Sequence, residues 1–121
     1  MLSPSLLDIP PHRRDAIARV AAALREVRSA VLTTHINADG DACGSVAAMA
    51  RLLPRLGIAP TVVVPTPWPD LFSFLLDESI RDRSREWEWA LRETEAVIAL
   101  DVSDLSRLGQ LAATVRDLAV P

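Results

Sequence analysis

The chain of 121 residues contains no lysine, and all thirteen of its basic residues are arginines. Sixteen acidic residues outnumber them, which gives a net charge of -3. The arginines are scattered along the sequence, and Arg81, Arg83 and Arg85 form the only local cluster. Proteins that grip long nucleic acids usually carry a basic stripe along the phosphates. The composition therefore argues against general polyanion binding, and any nucleic-acid substrate should be short.

Cysteine and long apolar runs are also scarce. Cys43 is the single cysteine, which excludes an internal disulfide. No run of about 18 apolar residues is present to span a bilayer. The first residues, which include Pro4, Pro10 and Pro11, lack the apolar core of a signal peptide. We therefore expect a cytoplasmic protein with no membrane partner.

Hydrophobic residues make up half of the sequence, and their spacing alternates between that of helices and that of strands. From Pro11 to Arg28 they recur every three or four residues, which is typical of one helix face. Short runs without polar alternation are typical of strands buried on both faces of a parallel sheet. The predicted strands are 30–34, 61–64 and 96–100, and the predicted helices are 11–28, 44–56, 86–94 and 105–118. This order predicts an α/β fold with a three-layer parallel sheet over residues 11–121, after a flexible N-terminus over residues 1–10.

Two groups of polar residues follow predicted strands. His35, Asn37, Asp39 and Asp41 follow the first strand, and Asp101 follows the third. In such sheets, ligands bind where loops leave the carboxyl ends of the strands. Turn formation is an alternative role for Asn37 and Asp39, and helix capping is an alternative for Asp41. Imidazole and carboxylate groups together suit a divalent transition ion such as Mn²⁺, so we predict a metal site.

Asp101 ends a purely apolar strand, where a buried carboxylate without a partner would be costly. A metal ion would supply that partner. The alternative is an N-cap for the helix that begins near Leu105, but Ser103 or Asp104 is better placed for capping. We therefore predict that Asp101 is a metal ligand and that Asp104 is not.

Two segments resemble motifs of the DHH phosphoesterases. THINADGDACGS at 34–45 resembles motif I, an HxNPDGDAxGS pattern whose His and Asp residues bind two metal ions; Ala38 stands where the family usually has proline. ALDVSDLSRLG at 99–109 resembles motif II, whose first Asp, here Asp101, bridges both ions, and Arg107 and Gly109 also match. Within the family, the chain is most similar to the nano-RNase and pAp phosphatase branch.

The resemblance implies a Rossmann-like DHH domain that binds two metal ions. His35, Asp39 and Asp101 would hold one Mn²⁺ ion, while Asp41 and Asp101 would begin the site of the second; Mg²⁺ is an alternative metal. These four residues would form the catalytic centre.

Three further residues are candidate phosphate contacts: Asn37, Gly44 and Ser45. Gly44 and Ser45 would open the helix after the loop, where backbone N–H groups can face a phosphate. For Gly44 and Ser45, ordinary close packing against the strand is an equal alternative.

The resemblance implies hydrolysis of short oligoribonucleotides or of 3′-phosphoadenosine 5′-phosphate (pAp). The family's DHH triplet and its C-terminal substrate-binding domain are absent from the sequence. We therefore expect residues 11–121 to be the N-terminal part of a DHH domain, with little or no turnover alone. A homodimer is a further expectation, because the sheet edge where the next strand would dock should be open.

Other activities fit the same two motifs. Within the enzyme class, the alternatives are a RecJ-like single-strand exonuclease, a cyclic-dinucleotide phosphodiesterase and a family II inorganic pyrophosphatase. Outside this class, the alternative is a nucleotide-binding regulatory α/β module, although every expected ligand of both motifs is retained. Such a module would bind nucleotide equally well in a chelator, whereas the enzyme would need its metal first.

Overall fold

The computed structural model describes residues 8–121, which contain four α-helices and three β-strands. The helices are α1 (Pro11–Arg25), α2 (Gly40–Leu52), α3 (Trp87–Glu93) and α4 (Ala112–Asp117), and the strands are β1 (Ser29–Thr33), β2 (Ala59–Val62) and β3 (Val97–Ala99). Short 3₁₀ segments cover Leu53–Leu56, Asp70–Leu75, Ser84–Glu86 and Leu105–Leu111. The predicted flexible segment over residues 1–10 lies largely outside the described residues.

The three strands form a parallel sheet in the order β2-β1-β3. Leu32 of β1 pairs with Val62 of β2 and with Ile98 of β3, so β1 is the central strand. The predicted α/β fold with a parallel sheet is confirmed. Its strands lack polar alternation because helices cover both faces of the sheet.

Successive residues of β1 point to opposite faces of the sheet. Leu32 packs in one core cluster with Val46 of α2. Val31 packs in a second cluster with Leu91 of α3 and with Leu108. The sheet therefore lies between two helical layers, as predicted.

The helix after β1 begins four residues earlier than predicted. It starts at Gly40 instead of Gly44, because Asp39 is its N-cap: the Asp39 Oδ1 atom accepts a hydrogen bond from the Ala42 N–H at 2.9 Å. An oxygen in this position satisfies one of the N–H groups that the first helical turn leaves free. The Asn- and Asp-rich loop is therefore shorter than predicted.

The predicted helix over 105–118 is wrong as a single element. A 3₁₀ segment covers Leu105–Leu111, and α4 begins only at Ala112. The break lies at Gly109, whose φ of 56° and ψ of -127° are not helical. Strand β2 also differs, since it begins and ends two residues before the predicted strand 61–64.

Helix α1 contacts the core mainly through its C-terminal end. Leu24, and Val27 just beyond the helix, pack partly against the core, whereas Ile17 and Val20 are 47% and 58% exposed. The apolar spacing predicted the start of the helix correctly, but the helix ends at Arg25 instead of Arg28, and half of its apolar face is exposed. An apolar groove lies between α1 and β3, one of the two edge strands of the described sheet.

No helix within residues 8–121 has the length and apolar character needed to cross a membrane.

Candidate metal centre

The loops after β1 and β3 start side by side at the carboxyl edge of the sheet. Thr33, the last residue of β1, lies opposite Ala99, the last residue of β3. The Thr34 hydroxyl donates to the Leu100 carbonyl at 2.8 Å, and the Leu100 N–H donates to the Thr33 carbonyl at 2.9 Å. These two hydrogen bonds join the starts of both loops.

Three of the four predicted metal ligands converge. His35, Asp39 and Asp101 each offer one ligand atom, and these atoms all lie within 4.8 Å of one another. His35 Nε2 lies 3.8 Å from Asp39 Oδ1 and 3.5 Å from Asp101 Oδ2. The His35 side chain is 8% exposed, while those of Asp39 and Asp101 are 65% and 41% exposed. The cluster is therefore anchored by a buried imidazole and opens to solvent on the carboxylate side.

The orientation of the His35 ring leaves Nε2 for the carboxylates. Nδ1 lies 2.7 Å from the carbonyl oxygen of Ile36. Because a carbonyl oxygen only accepts, Nδ1 must carry the proton in this hydrogen bond. A lone pair on Nε2 that faces two carboxylates is repelled unless a proton or a cation lies between them. Metal-binding histidines show the same arrangement, with the second ring nitrogen donating to a carbonyl or a carboxylate.

Asp39 has a structural role in addition to its place in the cluster. Its Oδ1 atom accepts the Ala42 N–H and caps α2. The alternative that Asp41 caps this helix is therefore wrong. A carboxylate has a second oxygen, so capping and cation binding are compatible at Asp39.

Asp101 and Asn37 adopt an uncommon backbone conformation. Their φ angles are 56° and 53°, and within the described residues they are the only non-glycine residues with positive φ. Asn and Asp tolerate this region better than other side chains, but it still stores strain. Each residue lies in one of the two loops that form the cluster. Strained residues concentrate at functional sites, which agrees with the predicted role of this edge.

Asp104 caps the 3₁₀ segment after β3. Its Oδ1 atom accepts the Ser106 N–H at 2.8 Å, and hydrogen bonds from Ser106 lower the pKa of the Asp104 carboxyl. The expectation that Ser103 or Asp104, and not Asp101, is the cap is thus confirmed, and Asp104 is the residue that caps. Asp101 carries no such bond, and its side chain faces His35 instead.

The remaining predicted residues lie in α2 or before it. Asp41 is exposed in the first turn of α2 and is not part of the converging group. Gly44 and Ser45 lie in the second turn, so the prediction that they open the helix is wrong. The N–H groups left free by a helix belong to its first turn, here to Gly40 and its neighbours. A contact with phosphate stays a prediction for Asn37, Gly44 and Ser45.

Sequence reasoning missed the contacts that support the first loop. The Asn37 N–H donates to Thr66 Oγ1 at 2.8 Å, and the Ile36 N–H donates to the Arg107 carbonyl at 2.8 Å. A Cβ atom at Gly109 would lie only 2.7 Å from Ile36 Cγ2. Thr66 is 29 residues from Asn37, and no local pattern signals their contact. Gly109 matches a position of motif II, and this match was the one signal in the sequence that another residue packs closely against it.

Comparisons with known proteins extend the description of the fold. No protein-family profile matches the chain, and no curated protein is significantly similar to it in sequence. The structure is similar to the crystal structure of an exopolyphosphatase-related protein from Bacteroides fragilis, with a TM-score of 0.77 and 22% sequence identity. The match covers 88% of this chain and 33% of that chain, so this chain spans about a third of the length of that protein. The likeness shows that the two proteins share the α/β fold of this region.

Proposed function

We propose that this chain carries the metal-binding part of a phosphoesterase, a hydrolase that cleaves phosphate esters with divalent metal ions. The observation behind the proposal is the convergence of one imidazole and two carboxylates from two strand ends. All three residues lie in the segments 34–45 and 99–109, which resemble the DHH motifs. The structural neighbour is described as exopolyphosphatase-related, which is consistent with hydrolysis of phosphoryl groups.

The donor set of the cluster suits a divalent cation. Imidazole nitrogen and carboxylate oxygen together favour ions such as Mn²⁺, and His35, Asp39 and Asp101 would hold it. A bound divalent ion supplies Lewis acidity toward a phosphoryl oxygen and an activated water. Its positive charge also removes the repulsion between the two carboxylates. By the resemblance alone, Asp41 would contribute to a second ion.

The other groups at this edge would orient the ligands and the substrate. The Ile36 carbonyl holds the His35 ring so that Nε2 faces the carboxylates. The first turn of α2 presents backbone N–H groups and the positive end of the helix dipole beside the cluster. Both features favour an anion such as a phosphate group at this position.

For the substrate we propose a short oligoribonucleotide or pAp, as the resemblance implies. The net charge of -3 and the scattered arginines support a short substrate, because a long polyanion would need a basic track. We expect little turnover by the 121-residue chain alone, since the second ion would lack most of its ligands.

Calorimetric titration with Mn²⁺ tests the proposal on the wild type, Asp39→Asn and Asp101→Asn. Asparagine keeps the cap of α2 at position 39 and tolerates the positive φ at position 101, so each variant loses charge with little change in backbone. We expect each substitution to weaken Mn²⁺ binding by roughly 100-fold, because even groups that only support a metal ligand contribute about 10- to 100-fold.

Asp104→Asn is the matched control. Asp104 follows the same strand as Asp101 and is also an aspartate, but it caps a 3₁₀ segment and lies outside the converging group. The control should bind Mn²⁺ as the wild type does. Equal Mn²⁺ affinity of the wild type and Asp101→Asn would contradict the proposal, and so would the absence of Mn²⁺ binding by the wild type.

A further inference from the structure

A cavity of about 550 Å³ lies beside the end of β2. We call it the β2 cavity; its walls include Val64, Pro65, Trp68, Ser84, Arg85 and Gln110. Cavities of roughly 300–1,000 Å³ are the usual size of small-molecule sites. The β2 cavity is therefore large enough for part of a nucleotide.

The β2 cavity adjoins the candidate metal centre. Thr66 lines the cavity, and its hydroxyl accepts the N–H of Asn37, which lies midway in sequence between His35 and Asp39. Strand β2 is the direct neighbour of β1, and neighbouring strands lie about 4.8 Å apart. A ligand with one end at His35 would therefore reach the cavity by extending along the carboxyl edge of the sheet by about the distance between two neighbouring strands.

One wall of the β2 cavity is apolar and rigid. Val64 is buried, Pro65 restricts the backbone, and Trp68 is held because its indole N–H donates to the Phe72 carbonyl at 2.8 Å. Polar groups also line the cavity, among them Gln110, whose side-chain N–H donates to the Pro65 carbonyl at 3.4 Å. A flat heteroaromatic ring with polar edges suits this combination, since its faces are apolar and stack on aromatic side chains.

The charged residues that line the β2 cavity are two acids, Asp82 and Glu86, and two bases, Arg83 and Arg85, so their formal charges cancel. Arg83 binds Glu93 at 2.8 Å and Glu86 at 3.3 Å, and its side chain is only 12% exposed. Asp82 accepts hydrogen bonds from the N–H and the hydroxyl of Ser84. The cavity therefore lacks the concentrated positive charge that would select a phosphate, which favours an uncharged ring.

We propose that the β2 cavity binds the base of a nucleotide whose phosphate lies at the candidate metal centre. The placement of the phosphate rests on the proposed function, whereas the base site rests on the cavity itself. Trp68 would provide the stacking wall, and Arg85 and Gln110 would contact the polar edge of the base.

Titration of the ¹⁵N-labelled chain with adenosine in a chelator tests the base site. Adenosine carries a base but no phosphate, and the chelator removes any contribution of metal. In NMR spectra we expect chemical-shift changes for the backbone amides of Thr66, Arg85 and Gln110 and for the indole N–H of Trp68. Arg85→Ala and Gln110→Ala, both at exposed positions, should each weaken adenosine binding by about fivefold, the equivalent of one hydrogen bond.

Arg55→Ala is the control for the adenosine titration, because Arg55 is exposed in the segment before β2, at the opposite edge of the sheet. It should bind adenosine as the wild type does. Shifts confined to other residues, or no shifts at about 10 mM adenosine, would overturn the base site. Inorganic phosphate that shifts the same amides would overturn it in favour of an anion site. Adenosine binding without Mn²⁺ binding would instead refute the proposed function and retain the base site.

Discussion

Substitution of Gly109 by alanine should strongly destabilise the protein, for two independent reasons. The φ of 56° and ψ of -127° at Gly109 correspond to the first central position of a type II′ turn, which favours glycine. Side chains in such rare regions cost about 1–3 kcal/mol. The new Cβ atom would also lie 2.7 Å from Ile36 Cγ2, and overpacking of this kind costs about 1–3 kcal/mol. Together we expect a loss of about 2–6 kcal/mol.

A double-mutant cycle separates these two costs. Urea unfolding would give the free energy of unfolding of the wild type, Gly109→Ala, Ile36→Ala and the double variant. Ile36→Ala removes Cγ2, so it should relieve the steric part of the Gly109→Ala cost and leave the backbone part, with a coupling energy of about 1–3 kcal/mol. A loss below about 1 kcal/mol in Gly109→Ala, or a loss unchanged by Ile36→Ala, would refute the reasoning.

Two further predictions concern α2 and the Asp104 cap. Gly44→Ala should stabilise the protein by about 0.5–1 kcal/mol in urea unfolding, because a Cβ there meets no atom within 4 Å and glycine is unfavourable inside a helix; a destabilised variant would show a hidden packing constraint. The Ser106 hydrogen bonds lower the pKa of Asp104 in the folded protein. The ionised carboxylate therefore stabilises the protein at pH values above the pKa that Asp104 has in the unfolded chain. This contribution disappears as the pH falls through the pKa of Asp104 in the folded protein. The stability difference between the wild type and Asp104→Asn should therefore shrink below about pH 4, and a difference independent of pH would contradict it.

The sheet and the cluster were predictable because their signals are local. The residues of β1 from Ala30 to Leu32 are apolar without alternation, and this pattern follows directly from burial on both faces. His35 and Asp101 could be placed together because parallel strands end at the same edge, as the register of β1 and β3 shows. Both predictions used residues within a few positions of a strand end.

Features set by single hydrogen bonds or distant contacts were not predictable. The start of α2 depends on one hydrogen bond from Ala42 to Asp39, in a segment whose composition is equally typical of a loop. The break at Gly109 lies inside a run with helical spacing. The side chain that packs against Gly109 belongs to Ile36, which is far from it in the sequence. The β2 cavity joins segments around Thr66 and Arg85 that share no motif. In each case tertiary packing decides between local conformations that the sequence allows.

The order β2-β1-β3 has a consequence for folding during synthesis. The central strand is made first, and its partner on one side arrives much later: Thr34 and Leu100, which join the two loops, are 66 residues apart. At about 5–20 residues per second, a ribosome needs roughly 3–13 s to make that stretch. During this interval the edge of β1 that β3 will cover is open to other chains. The His35 loop can meet Asp101 only after β3 has been made, so the cluster cannot form before this interval ends.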